Sequence, residues 1–167
     1  MKPAPTSSWK GPAGAIALVL ARWLLGALFI YMGLNKALHP VDFLKLVRQY
    51  DMVQSHLLLN LIASTLPWFE VFCGLLLVAG IAVRGSALML VAMLIPFTVL
   101  VGRRALAIHA AGGIPFCAIK FDCGCGTGEV LICGKLIENT LLTLLSAVLV
   151  FSRCRILCLR HSLAKGA

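Results

Sequence analysis

Four long apolar runs, at about residues 14–34, 58–83, 86–102 and 130–151, constrain this chain more than anything else in it. Each is close to the roughly 20 residues that carry a helix across a hydrocarbon core. In lipid a segment must satisfy its own backbone hydrogen bonds. Runs rich in Leu, Ala and Met, without two-residue alternation, do so as helices and not as the strands of a barrel. Composition agrees: the chain is 60% hydrophobic and 13% charged, with a mean hydropathy of +0.98. That is more apolar surface than one water-soluble core can use. The expected fold class is therefore all-α, an integral membrane four-helix bundle forming one domain over residues 14–152.

The flanks read differently. Residues 1–13, with Pro3, Pro5 and Pro12 among Ser and Thr, are expected to be a disordered tail, and residues 153–167 a basic one. The first run is too long for a signal-peptide core and lacks a small-residue cleavage site followed by polar sequence, so it is expected to stay as an anchor. Between the first two runs, residues 40–55 place Phe43, Leu44, Leu46, Val47 and Tyr50 among Asp42, Lys45, Arg48 and Asp51. This pattern predicts a short amphipathic helix at the surface, with Pro40 in its first turn, either capping the bundle mouth or filling a gap between helix ends. No internal repeat is evident.

Four spans put both termini on one side. That side holds Lys2, Lys10, Arg84, Arg153, Arg155, Arg160 and Lys165; the other holds Lys36, Lys45, Arg48, Arg103, Arg104, Lys120 and Lys135. The counts tie, while the dense tail after Phe151 and the weight of the first helix lean toward cytoplasmic termini. The net charge of +9 flanks spans on both faces and forms no Lys/Arg stripe with interleaved aromatics. It points to anionic lipid headgroups, and no nucleic-acid partner is expected.

Polar residues inside the spans are costly and mark pairs or sites. Counting inward from the span ends places Arg22 and Glu70 at similar depth and predicts an ion pair between them, serving helix register or a proton or quinone site. A second cluster is expected near the other face, from Asn35 and Lys36 with Lys135, Glu138 and Asn139; it would orient a headgroup or quinone ring, or reflect snorkelling and surface pairing.

The segment Asp122-Cys123-Gly124-Cys125-Gly126-Thr127-Gly128 is a polar, glycine-rich thiol motif between two apolar runs. Fully extended, three residues separate their outer Cα atoms by roughly 7 Å, just beyond the roughly 4.4–6.8 Å that disulfides tolerate, so the chain must turn at Gly124. So small a ring suits a bond that is made and broken. A metal chelate and a pair of inert thiols remain open readings of the spacing. The sequence also carries Cys73, expected to be a small core residue, Cys117 and Cys133 on either side of the motif, and Cys154 and Cys158 beyond the last span. There is no Walker loop, dinucleotide fingerprint or paired Cys-x-x-Cys zinc pattern, and no metal-ligating set is assigned.

Together, Arg22 with Gly26, then Gly33, Asn35, Lys36 and Pro40, then Leu66-Pro67-Trp68-Phe69-Glu70 with Gly74 and Gly80, then Cys123-Gly124-Cys125-Gly126 ahead of the last span, resemble the DoxX-like superfamily and most closely its MauE branch. The resemblance spans about residues 14–152. It departs after the second cysteine, where MauE-like motifs usually carry a bulky aromatic and this chain has Gly126-Thr127-Gly128. The resemblance implies a multi-pass inner-membrane protein linked to methylamine utilisation and to disulfide formation in an exported partner. On that basis Cys123 and Cys125 are the expected redox pair, with Cys133 a resolving thiol close enough to reach them. Arg22, Lys36, Trp68, Glu70 and Glu138 are the expected cofactor-binding residues. No cofactor is required by the residues; a membrane quinone is the acceptor this reading draws on. The Cys123 loop would then face the periplasm, where disulfides persist. Two other classes stand beside it: a noncatalytic subunit or assembly factor of a larger redox complex, and a soft-metal transporter, against which the first 72 residues offer no cysteine.

Overall fold

The computed structural model describes residues 12–49, 55–122 and 129–152. The terminal tails, residues 50–54 of the expected surface helix and the Cys123–Cys125 motif lie outside the described residues. Among the described residues there are five helices: α1 (Pro12–Leu38), α2 (Pro40–Gln49), α3 (His56–Ala79), α4 (Val83–Gly112) and α5 (Ile132–Phe151). Between α4 and α5 come a 3-10 turn (Phe116–Ala118) and strands β1 (Lys120–Asp122) and β2 (Glu129–Leu131). Helices α1, α3, α4 and α5 are each long and apolar enough to cross a membrane. The fold is the expected all-α membrane bundle, with one small hairpin added.

Glycines set how closely the helices approach. A Cβ on Gly26 of α1 would lie 2.6 Å from Val78 Cγ2 and 2.8 Å from the Gly74 carbonyl oxygen; one on Gly74 of α3 would lie 2.7 Å from the Gly26 carbonyl. One turn pair along, a Cβ on Gly33 would meet the Pro67 carbonyl at 2.7 Å. Small residues at such crossings let backbones touch where lipid supplies no hydrophobic drive. They also fix the antiparallel offset of α1 and α3, which decides which polar side chains can meet.

The second half of the bundle is α4 against α5, joined to α3 by a tight turn in which Gly80 (φ 75°) and Ala82 (φ 47°) take left-handed backbone. Arg84 Nε donates to the Val150 carbonyl at 3.0 Å, tying the start of α4 to the end of α5. The shared core comprises Leu25, Phe29, Cys73, Leu77, Ala87, Leu90, Leu94, Leu142 and Leu149. Outward faces carry Leu20, Leu61, Phe72, Leu141 and Leu144, as expected where the solvent is hydrocarbon.

Helix α4 runs ten residues past the expected end at Gly102, to Gly112. At 1.5 Å per residue its 30 residues span about 45 Å, against a hydrocarbon core of about 30 Å. The exposed Arg103 and Arg104 therefore mark the interface, and the last turns project beyond it. What holds that overhang is a second small core of Val101, Ala105, Ile119 and Ile132, with Phe97, Ile108, Phe116, Cys133 and Leu136 around it. The amphipathic α2 forms where expected, its buried Phe43 facing inward and its exposed Lys45 and Asp42 paired at 3.1 Å.

Candidate functional site

Two features at the hairpin side of the bundle carry chemistry. The first is a buried ion pair. Lys36 Nζ, near the end of α1, donates to Glu70 Oε1 at 2.7 Å and Oε2 at 2.8 Å, and the side chains are only 8% and 9% exposed. The ring of Phe43 from α2 covers the ammonium, with its centroid 5.5 Å from Nζ. Glu70 is 14 residues from the start of α3 and 9 from its end, roughly 21 and 14 Å along the axis, so the carboxylate lies deep in the span. Removing one partner of such a pair leaves an uncompensated charge and costs about 3–5 kcal/mol.

This corrects the expected Arg22–Glu70 pair. Gly33 of α1 packs against Pro67, Glu70 and Val71, and Arg22 is eleven residues earlier, about 16 Å along the helix. Arg22 is buried to 1% exposure toward the other end of the bundle. Depth counted from opposite boundaries matches Arg22 to Glu70 only if the two antiparallel spans lie level with each other. The glycine contacts impose a different offset and bring Lys36 to Glu70 instead.

Along α5 the buried stripe is Ile132, Lys135, Asn139, Leu142, Ser146 and Leu149. Lys135 Nζ pairs with Glu138 Oε2 at 2.9 Å, the lysine 2% and the glutamate 50% exposed. Asn139 Nδ2 and the hydroxyls of Ser86 and Ser146 are buried and find no hydrogen-bond partner among the described residues. Lys135 and Glu138 thus pair within α5, whereas Lys36 turns away from them to Glu70. Trp68, two residues before Glu70, is 61% exposed on the outward face of α3 and is not brought to the ion pair.

The second feature is a disulfide. Cys117, in the 3-10 turn, bonds Cys133, in the first turn of α5, with Cα atoms 5.1 Å apart and a sequence separation of 16. Directly above it β1 and β2 pair antiparallel, Lys120 with Leu131, Phe121 with Val130 and Asp122 with Glu129. The Ile132 N–H donates to the Ile119 carbonyl at 3.1 Å, continuing the pairing into the helix. His109 ties the turn to α4, its Nδ1–H donating to the Ile114 carbonyl at 2.6 Å and its ring edge-on to Phe116 at 6.4 Å. Residues 123–128, which include Cys123 and Cys125, connect the paired ends of this hairpin.

A family model described as methylamine utilisation protein MauE matches residues 14–152, nearly the whole described bundle. The chain belongs to the MauE family. No curated protein and no solved structure matches it. As a MauE-family chain it is a multi-pass membrane protein of the methylamine-utilisation type, with four helices among the described residues long and apolar enough to span a membrane. Cys133 is bonded to Cys117 and not held as a free thiol; cysteine spacing does not single out that pairing, which depends on the register in which β1 and β2 meet. The Lys36–Glu70 pair depends on the helix offset that the contacts of Gly26, Gly33 and Gly74 impose. Phe43 had no signal beyond its apolar position in α2.

Proposed function

We propose that this MauE-family protein is a thiol-disulfide redox component of the inner membrane that oxidises a dithiol in an exported partner protein. The observation that carries the reading is the Cys117–Cys133 disulfide at the base of a three-pair hairpin whose connecting residues contain Cys123 and Cys125. Only two residue steps, roughly 7 Å of strand, separate the hairpin's two ends. In this reading two cysteine pairs share one small extramembrane unit, as a relay needs. In the relay, a partner dithiol reduces the Cys123–Cys125 disulfide and leaves as a disulfide. The loop dithiol then passes two electrons and two protons to Cys117–Cys133, and is itself reoxidised.

The terminal acceptor in this reading is a membrane quinone, which supplies a two-electron, two-proton sink when bound. Donor chemistry inside the bundle suits a quinone carbonyl: Asn139 Nδ2 is a buried donor with no acceptor among the described residues, and Lys36 and Glu70 provide a fixed charge pair nearer the middle of the span. Glu138, paired with the buried Lys135, would support that region, whereas Arg22 and Trp68 lie away from it and have no part in it here. Cytoplasmic termini and a periplasmic hairpin complete the proposal, as does membership of the wider DoxX-like superfamily. A soft-metal transporter is less well supported, since two thiols it would use are joined to each other.

The test is thiol trapping in intact cells with a membrane-impermeant alkylating reagent, before and after mild reduction, on wild type and on Cys123→Ser and Cys125→Ser. Labelling that follows reduction and needs both loop cysteines supports an external redox pair. Labelling without reduction brings metal binding forward. Absence of labelling in both states places the hairpin inside and overturns the proposal. Redox activity that appears only with a co-purified subunit would instead favour an assembly or anchoring role.

A further inference from the structure

We infer that the Cys117–Cys133 disulfide has a fixed polarity: an incoming thiolate attacks Cys117, and Cys133 departs as the thiolate. The inference rests on the redox reading above and adds which sulfur forms the mixed disulfide.

Two independent observations distinguish the sulfurs. The first is access. Cys117 lies in the short 3-10 turn and is exposed, as are its neighbours Pro115 and Ala118. Cys133 is only partly exposed and packs against the small core of Val101, Ala105, Ile119 and Ile132. Attack on a disulfide needs the nucleophile in line behind the sulfur it strikes, so the exposed sulfur is the reachable one. The second is where charge is left. Cys133 is the second residue of α5, whose first turn has no acidic residue and no side-chain cap. The Ile132 N–H is already engaged by the Ile119 carbonyl, while the N–H groups of Cys133 and Gly134 fall in the first turn of α5, where a helix offers no intrahelical acceptor. Open donors and the positive end of the helix dipole stabilise a thiolate at that position. Cys117, beyond the end of α4 and in a single 3-10 turn, has no such support.

The step balances as a simple exchange. The thiolate R–S⁻ bonds Cys117 Sγ while the Cys117–Cys133 bond breaks, its electron pair going to Cys133 Sγ. A second thiol of the same donor then displaces Cys117, and the pair is left as a dithiol. The substrate class for the first half-step is any accessible protein or small-molecule thiol.

The experiment maps a mixed disulfide. Purified full-length protein in detergent is exposed to limiting glutathione, quenched in acid and alkylated, and the peptides carrying glutathione and alkyl group are identified. A Cys123→Ser/Cys125→Ser double variant is treated in parallel, so that the loop thiols take no part. The expected result is glutathione on Cys117 and alkyl group on Cys133, by at least about tenfold over the reverse. Glutathione on Cys133, or an even split, overturns the polarity, and so does a disulfide that glutathione leaves intact in the folded protein. A second arm adds Cys133→Ser to the loop double variant and supplies oxidised glutathione: the Cys117 thiolate takes one glutathionyl group and releases the other as glutathione thiolate, and the adduct should persist because its resolving thiol is gone; rapid loss of the adduct counts against the assignment. If Cys117 is the site in both proteins but wild type shows no exchange between the loop pair and this disulfide, the polarity stands and the relay fails.

Discussion

Lys36 and Glu70, 34 residues apart in sequence, are joined by two hydrogen bonds of 2.7 and 2.8 Å deep in the α1–α3 contact. Each charge is there because the other is. Glu70→Gln should leave the Lys36 ammonium buried beneath Phe43 with a neutral partner, and Lys36→Met should leave a bare carboxylate. Either is expected to cost about 3–5 kcal/mol, read as loss of folded protein in a detergent thermal melt. The exchanged double variant Lys36→Glu/Glu70→Lys should recover part of that loss. A neutral Glu70→Gln would mean the pair does not stabilise the bundle.

Helix approach gives a second prediction. Gly26→Val meets Val78 and the Gly74 backbone, where even a Cβ would be 2.6–2.8 Å away, and the carbonyl cannot move without shifting α3. The expected cost is at least about 1–3 kcal/mol, the usual penalty for overpacking. Gly85→Ala, with nothing within 4 Å of the new Cβ, should be neutral or slightly stabilising because alanine has the better helix propensity. Equal melting temperatures for the two variants would remove the close-contact argument.

The disulfide contributes separately. Its 16-residue loop corresponds to about 3 kcal/mol of unfolded-state entropy in the chain model. Reduction, or Cys117→Ser, should therefore loosen the hairpin and the end of α4 while leaving the α1–α3 pair intact. Hydrogen exchange would report this as faster exchange at Ile119 and Ile132, whose backbone bond of 3.1 Å depends on the same closure, with the α3 amides around Glu70 unchanged.

Phe43 tests whether α2 is more than a surface filler. Phe43→Leu keeps an apolar side chain but removes the ring 5.5 Å from Lys36 Nζ, and should cost about 1 kcal/mol if the cation–π contact is real. Phe43→Ala should cost more, through lost burial as well. Were the leucine and wild-type proteins to melt together, the ring's charge distribution would contribute nothing.

Much of the fold was legible because lipid leaves few options. Leu61, Phe72, Leu88 and Leu144 are exposed on helices that the apolar runs alone located, and Pro40 with Phe43 marked α2. The long end of α4 was not legible, because Arg103 and Arg104 look like a span boundary. They are one, but the helix continues past it as Ala105 finds Ile119 and Ile132 to pack on. The candidate site divides the same way. Glu70, Lys36, Lys135 and Glu138 stood out as polar residues in apolar surroundings, yet the partner of Glu70 was misassigned.

The sequence by itself determined that the chain crosses the membrane four times, that its thiol motif sits between the last two spans, and which buried positions are charged. Those follow from local composition and the cost of unsatisfied or charged groups in hydrocarbon. Only the tertiary structure decided that Lys36 and not Arg22 meets Glu70, and that Cys133 is bonded to Cys117. Both depend on offsets between segments distant in sequence, the one set by glycine contacts between α1 and α3, the other by three pairs of strand residues, and no local pattern encodes an offset of a few ångströms.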